Sequence, residues 1–518
     1  MHWSEHYAKK IIEKKPDKDT YIVESGITPS GIVHAGNFRE VMTQDFVYRA
    51  LLKLDVDAKY LYVWDDYDRF RKVPANVPDS WKKEGEEYIG LPVSKTPDPW
   101  GCHESYSEHF ASKLIEENEK CGVRADYVWM SNEYEKCTFA ENMKTALEKK
   151  DLIREILNEF RREPYGSSWM PVRVYCDKCG KDTTKAVYEG DYKLSYECEC
   201  GEKGSFDFRK KGNAKLKWRV CWPSRWAYYD VDFESSGKDH QASGGSWDTG
   251  TRICKQVFGH EPPIGPMYEF IYAKGQKEKM SSSKGNVFTV SELLQVYEPE
   301  MVRFIYTPKI NKAIEVPFDE GIFNYYEAYD LAERVFFDRE EIKNEREKDN
   351  FVSSYELSQI GKPEETVQPS FSFMADLAQI VQDKERAVKV LQRTEHVPEE
   401  LSGADEKKIF LRLELAENWA ENYAPENRRI MIVDETPEMS LSEAQKKALS
   451  MVPGAVARAE NAKELGKALK KIMANNGLNP KDFFTPAYML LLGKERGPRL
   501  APFLMSIDEE VIKEKFSF

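Results

Sequence analysis

No run of 18 or more apolar residues occurs anywhere in the chain, so the sequence offers no membrane-spanning helix. The apolar stretch of a secretory leader is missing as well, because the N-terminal MHWSEHYAKKIIEKKPDKDT mixes charged and apolar residues throughout. The expectation is a cytoplasmic protein with no membrane partner. Positive charge is not in excess: the formal net charge is -13, which does not by itself point to a nucleic-acid partner. Internal repeats and low-complexity tracts are lacking. Nine cysteines make an odd number for a disulfide scaffold, and in a reducing compartment their grouping matters more than their count.

What is present is an ordinary globular composition, 41% hydrophobic and 32% charged. At 518 residues the chain is too long for one hydrophobic core, so two or three domains are expected. TYIVE (20–24) predicts a buried strand, followed by a turn-rich stretch from Ser25 to Gly31. From His34 the pattern turns helical, with Val47, Ala50, Leu51 and Leu54 on one face. AKYLYVW (58–64) predicts a second strand that ends at Asp65 and Asp66. Strand, loop, helix, strand is the opening of an α/β nucleotide-binding fold, whose ligand sits at the C-terminal strand ends.

Further on, helical patterns around 107–120 and 138–162 flank a short apolar strand at 127–130. KWRVCW (217–222), YYDVDFE (228–234) and MYEFIYA (267–273) read as strands, and 348–370 reads as a polar loop. Beyond about 320 helical patterns dominate, as in 453–476 and 480–492. The expected architecture is α/β: a Rossmann-like parallel-sheet catalytic domain over 1–320 with a zinc-bearing insertion at roughly 70–220. An all-α helical domain over 321–518 follows it.

Two short elements carry phosphate chemistry. The first strand leads through Thr28, Pro29, Ser30 and Gly31 to His34-Ala35-Gly36-Asn37 at a helix start. A first helical turn presents unsatisfied N–H groups and the positive end of the dipole, glycine allows close approach, and the His34 ring can reach phosphates. Taken alone this is equally a turn with a histidine cap. Far downstream, Lys279-Met280-Ser281-Ser282-Ser283-Lys284-Gly285-Asn286 sets two lysines and three hydroxyls on a loop suited to gripping a triphosphate and neutralising departing pyrophosphate. By itself it is an ordinary basic loop.

Two clusters have metal-ligand character. Cys176-x2-Cys179 and Cys198-x-Cys200, each pair followed by glycine, have the spacing of a four-thiolate zinc knuckle. Asp98, Cys102, His103 and His109 place one oxygen, one sulfur and two nitrogen donors within twelve residues. The plain alternative for the second is a polar loop with a capping aspartate. Each cluster offers four ligands and no open position, so both ions would be structural.

In order and context the two phosphate elements resemble the HIGH and KMSKS signatures of class I aminoacyl-tRNA synthetases. PSGIVHAGN (29–37), SGKDHQASGGSWDTG (236–250) and EKMSSSKGN (278–286) are similar to the corresponding blocks of the archaeal-type class I lysyl-tRNA synthetase family. The chain departs from the signatures at Asn37, where HIGH ends in histidine, and at Ser282, where KMSKS carries its second lysine. The resemblance implies ATP-dependent attachment of L-lysine to tRNA(Lys) through a lysyl-adenylate, with Mg2+ accompanying ATP and no DNA partner. It implies catalytic roles for His34, Asn37, Lys279 and Lys284. ATP would be held by Pro29, Gly31, His34, Gly36, Asn37, Asp239, Met280, Ser281, Ser282 and Ser283. A lysine ammonium has three donors and no acceptor, so the carboxylates near the strand ends, Glu24, Asp65, Asp66 and Asp68, are candidates for its pocket. By resemblance Gly26, Thr28, Trp218, His240 and Tyr268 would also line it, aromatic faces suiting a cation.

Competing readings are a class I synthetase for glutamate or cysteine, a small-molecule nucleotidyltransferase, and a zinc-bearing RNA-binding protein without catalysis. The nucleotidyltransferase leaves the helical C-terminal part without a purpose, and the binding protein leaves the KMSSSK loop without one. Six basic residues between Phe208 and Arg219 (Arg209, Lys210, Lys211, Lys215, Lys217, Arg219) with no acid among them read by themselves as a solvated face, and in the context of the resemblance as a candidate tRNA backbone contact.

Overall fold

The computed structural model describes residues 1–75, 77–275, 287–435 and 437–518. Lys279, Met280, Ser281, Ser282, Ser283 and Lys284 lie outside the described residues. The described part divides into two compact units, 1–293 with 302–316 and 344–360, and 294–301 with 317–343 and 361–518.

The first unit is built on a parallel sheet. Strand β1 (Thr20–Ile27) pairs in parallel with β2 (Asp57–Trp64), which pairs with β3 (Asp126–Trp129). The last five residues of β2 are all buried, as expected of a parallel strand covered on both faces. On the other side of β1, Phe233 bridges Val23, and Phe233 is bridged in turn by Ile264, both in parallel. This joins the halves of the sheet that the sequence keeps more than 200 residues apart. Short parallel pairings follow between Ser236–Gly237 and Met267–Tyr268, and between Ile271–Ala273 and Ile314–Val316. Helix α1 (Trp3–Lys14) precedes β1, and helix α2 (Ala35–Lys53) crosses over from β1 to β2. The buried residues of α2 include Phe38, Val41, Met42, Phe46 and Val47.

Between the sheet halves sits an antiparallel module. Thr184–Gly190, Lys193–Cys198 and Lys203–Asp207 form a three-stranded sheet, and Val172–Val174 pairs with Ala214–Leu216. Its buried Tyr175, Leu194, Tyr196 and Phe206 belong to one apolar cluster with Met143, Ile156, Val220 and Ile253.

Several expectations are corrected. KWRVCW is not a strand: Trp218–Tyr229 is a helix. Trp218, Trp222 and Trp226 recur every four residues and their rings meet at 5.3 and 4.9 Å, a helical period that a six-residue window hides. YYDVDFE contributes only the bridges at Phe233, because Asp230 takes the left-handed conformation (φ 50°) that ends the helix. The polar stretch read as a loop contains the helix Glu345–Ser358, started by the Asn344 side chain accepting from the Glu347 N–H. The single helical pattern over 453–476 is two helices, Val452–Arg458 and Ala462–Asn475, the second capped by Asn461.

All regular elements among the described residues of the second unit are helical. A buried apolar cluster runs through Leu449, Val452, Leu469, Phe483, Leu491 and Phe503. Elsewhere in this unit Arg412 is fully buried, with Nε donating to Glu298 at 2.7 Å and Nη1 to Asp330 at 2.9 Å. No helix among the described residues is long and apolar enough to cross a membrane.

Candidate active site

A cavity of about 950 Å3 opens at the C-terminal ends of β1 and β2, where a doubly wound sheet presents its ligand. Its lining includes Gly26, Thr28, Gly31, His34, Gly36 and Asn37 from the first phosphate element and its approach. Asp65, Trp218, Asp239, His240 and Tyr268 come to it from distant parts of the chain. Gly26 has to be glycine, since a Cβ there would fall 2.6 Å from the Val63 carbonyl oxygen of the neighbouring strand.

At the helix start, His34 is the N-cap of α2. Its Nδ1 accepts the Gly36 N–H at 3.1 Å, and Asn37 Oδ1 accepts the His34 N–H at 3.3 Å, so the two close a capping box. The cap fixes the tautomer: with Nδ1 accepting, the proton of the neutral ring sits on Nε2. The capping role and a phosphate-facing role thus use different nitrogens.

A carboxylate missing from the sequence reading sits within this cavity. Glu40, one turn along α2 from Gly36, accepts the Gly26 N–H at 3.2 Å on one oxygen and the Tyr268 hydroxyl at 3.0 Å on the other. Burial pushes it up to about 7, against these two hydrogen bonds. The signal was available: Gly36, Asn37 and Glu40 are spaced i, i+1 and i+4, and so share one face of the helix. Arg69, Arg71 and Lys72 also line the cavity and were not singled out from sequence.

The other acids are placed differently from one another. Asp65 lines the cavity, but its Oδ1 accepts from Arg225 Nη1 at 2.8 Å. Glu24 does not line it: the side chain is fully buried and accepts Arg225 Nε at 2.9 Å. Asp66 also points elsewhere, accepting the Ser131 N–H at 2.8 Å and the Ser131 hydroxyl, and burial pushes it up to about 6. Neither Glu24 nor Asp66 therefore faces the cavity, although the second Glu24 oxygen is buried without a hydrogen-bond partner among the described residues. Asp68 lines the cavity, accepts the Thr28 hydroxyl at 3.1 Å and pairs with the buried Lys215. Burial works against its charge, yet the Lys215 ammonium outweighs that and holds it below the usual carboxylate range. Pro29 is buried behind the loop and is not part of the lining.

The aromatic wall is continuous. The Trp218 ring lies 5.3 Å from Trp222 and 5.6 Å from His240, whose Nδ1 is 2.8 Å from the Ser246 hydroxyl. Burial keeps the His240 pKa below its ordinary value, which favours the neutral ring.

The basic run between Phe208 and Arg219 does not form one exposed stripe. Arg209 pairs with Asp207, Lys211 with Asp177, and Lys215 is buried against Asp68.

Both proposed ligand clusters come together. In Cys176, Cys179, Cys198 and Cys200 the four sulfurs lie within 4.8 Å of one another, with Cys176–Cys200 and Cys179–Cys198 both at 3.7 Å. A tetrahedral ion with sulfur bonds of about 2.3 Å requires sulfur–sulfur edges of about 3.8 Å, so the donor set fits one. In the other cluster, Cys102 Sγ is 3.1 Å from His103 Nδ1, 3.2 Å from His109 Nδ1 and 3.2 Å from Asp98 Oδ2. His103 turns its Nε2 to the Ser112 hydroxyl at 2.9 Å, and His109 stacks on Trp100 at 4.2 Å, partners of the kind that orient ligating rings.

A family model described as tRNA synthetases class I (K) matches residues 1–361. The lysine--tRNA ligase of Pyrococcus horikoshii is 43% identical, covering 99% of this chain and 98% of that protein. That of Thermococcus kodakarensis is 43% identical with the same coverage, and that of Borrelia garinii is 35% identical over 98% of this chain and 97% of that protein. With a family model spanning well over half its length, the chain belongs to the tRNA synthetases class I (K).

Proposed function

We propose that this chain is a cytoplasmic lysine--tRNA ligase. In the first step a lysine carboxylate oxygen attacks the α-phosphorus of ATP, the bond to the bridging oxygen breaks, and pyrophosphate leaves. In the second a ribose hydroxyl of the terminal tRNA adenosine attacks the lysyl carbonyl, and AMP leaves. The lysine carboxylate is already nucleophilic, so the protein's work is positioning and charge stabilisation.

The observation that carries the reading is Glu40. A half-buried carboxylate held between the Gly26 N–H and the Tyr268 hydroxyl, its pKa pushed up by desolvation, is a receptor for a cation. An arriving ammonium supplies three donors and removes the desolvation penalty. Trp218 and His240 offer ring faces for the four-carbon stem, and Asp65 and Asp68 are further cavity carboxylates.

His34 Nε2–H, Asn37 and the first N–H groups of α2 would meet the phosphates, with Asp239 toward the ribose. Lys279, Met280, Ser281 to Ser283 and Lys284, which lie outside the described residues, would add further contacts to ATP. Magnesium travels with ATP and neutralises its phosphates. The cysteine quartet would hold one structural zinc, and Asp98, Cys102, His103 and His109 a second. The helical second unit would read the anticodon, whose unpaired bases are recognised by stacking and edge hydrogen bonds.

The test is ATP–pyrophosphate exchange and tRNA charging with each amino acid in turn, with tRNA present. Lysine-dependent activity lost in Glu40→Gln supports the assignment. Activity with glutamate or cysteine keeps the family and overturns the substrate. No activity with any amino acid overturns the ligase reading.

A further inference from the structure

A buried carboxylate joins the cysteine knuckle to the cavity. Asp182 follows directly on the knuckle turn, in which the Lys181 carbonyl accepts the Cys176 N–H at 2.9 Å. Its side chain has no exposed surface and lies between two arginines. Arg173 Nη1 donates to one oxygen at 2.6 Å. Arg69 Nη1 lies 3.1 Å from the other, an ion pair without the alignment of a hydrogen bond. Out of water such attractions are screened little. Arg69 lines the cavity and Arg173 does not.

The backbone is pinned along the same line. The Asp182 N–H donates to the Gly90 carbonyl at 2.9 Å, and the Gly90 N–H donates to the Phe70 carbonyl at 3.0 Å. The Phe70 N–H returns to the Leu91 carbonyl at 2.7 Å, and Arg69 itself bridges Pro92. Gly180 lets the knuckle come this close: its φ is +72°, and a Cβ there would fall 2.9 Å from the Leu91 side chain. The cavity loop therefore rests on residues 90–92, and those rest on the knuckle.

Asp68 and Arg69 are consecutive cavity residues of opposite charge, and each is paired from the antiparallel module, Asp68 by Lys215 and Arg69 by Asp182. The crossed pairs keep the two from spending their charge on each other. With Asp182 neutral, the cavity's own acids, Asp65 and Asp68 among them, would compete for Arg69. An arginine folded onto an acid is lost to an incoming anion. Arg69, Arg71 and Lys72 bring positive charge to this cavity, and a guanidinium offers a planar fork of five donors that matches phosphate oxygens.

We propose that Asp182 is a positioning residue for ATP, holding the Arg69 guanidinium in the cavity so that it meets the triphosphate. Asp182 itself touches no substrate. The proposal rests on the ligase reading above, which supplies ATP as the anion.

Calorimetric titration of the full chain with magnesium and ATP tests it, in Asp182→Asn, Arg69→Gln, the double variant and Arg173→Gln. Arg69→Gln should weaken ATP binding roughly tenfold to a hundredfold, the range for hydrogen bonds to a charged group. Asp182→Asn should weaken it roughly two- to tenfold, since an arginine no longer held must be ordered on binding. In the Arg69→Gln background the same change should add nothing, because the two residues act as one unit. Arg173→Gln leaves the Asp182–Arg69 pair in place and should stay within about twofold of the unaltered protein. Lysine affinity and zinc content should match the unaltered protein in all four. Asp182→Asn weakening ATP equally with and without Arg69 would overturn the proposal, as would Arg173→Gln weakening it as much as Arg69→Gln. If the unaltered protein binds ATP yet shows no lysine-dependent pyrophosphate exchange, the ligase reading fails instead, and the ATP titrations still decide whether Asp182 acts through Arg69.

Discussion

Tyr268 donates its hydroxyl to Glu40 across 3.0 Å, although the two are 228 positions apart in the chain. The other Glu40 oxygen takes the Gly26 N–H at 3.2 Å, so one carboxylate ties the end of β1, the face of α2 and the Met267–Tyr268 strand into the floor of the cavity. It is the group on which substrate choice should turn.

Glu40→Gln keeps the shape and removes the charge. Lysine affinity should fall between about 30-fold and 1000-fold, the range expected when one partner of a buried charge pair is removed. ATP affinity should stay within a factor of two or so. Calorimetric titration with each ligand checks both, and an unchanged lysine affinity would remove Glu40 from the pocket.

The same group makes lysine binding and folding respond to pH in opposite directions. Burial raises Glu40 from 4.5 to about 7 in the unliganded fold. The folded state holds a proton that the unfolded chain releases, so the stability contribution is full below pH 4.5 and is lost as pH rises through about 7. Glu40→Gln should therefore be more stable than the unaltered protein at pH 8, by on the order of 1–3 kcal/mol, since the cavity leaves the carboxylate partly wet. The difference should vanish near pH 4. Lysine needs the ionised form, so its affinity should drop as pH falls below about 7. Denaturant melts and titrations at several pH values read both trends.

His34→Ala removes a phosphate donor and a helix cap at once. Pyrophosphate exchange should fall about 100-fold or more, with a stability loss of about 1 kcal/mol. His34→Asn restores an acceptor at the cap but not the ring donor. It should recover the stability and not the rate, a separation that a purely structural histidine would not give.

Metal content should fall one ion at a time. The purified protein is expected to carry two equivalents of zinc, Cys198→Ser one and Cys102→Ala the other one. Elemental analysis of the three proteins counts them. A single equivalent lost only in Cys198→Ser would leave the Asp98 cluster as a hydrogen-bonded loop.

Arg225 should be a stability residue. It is buried and holds both Glu24 and Asp65, at 2.9 and 2.8 Å. Arg225→Met would strand two acids without their partner and should cost about 3–5 kcal/mol. The midpoint of urea unfolding reports it.

The sequence by itself determined the parts that depend on short spacing. The β1–α2–β2 opening follows from local hydrophobic period, His34 and Asn37 follow from a cap motif, and the eight metal-ligand candidates fall in two tight groups. Such features are encoded within a few turns of chain, and one window reads them. Tertiary structure decided which of the cavity's acids remain available. Asp65 and Asp66 are adjacent, yet one faces the cavity with Arg225 at its flank and the other starts a helix through Ser131. Glu24 is a buried partner rather than a pocket acid because the helix Trp218–Tyr229 brings Arg225 to it across 201 positions of sequence. Glu40 became a receptor only when Gly26 and Tyr268 arrived beside it. A carboxylate's role is set by what desolvates it and what neutralises it, and both come from residues that are neighbours only in the folded chain.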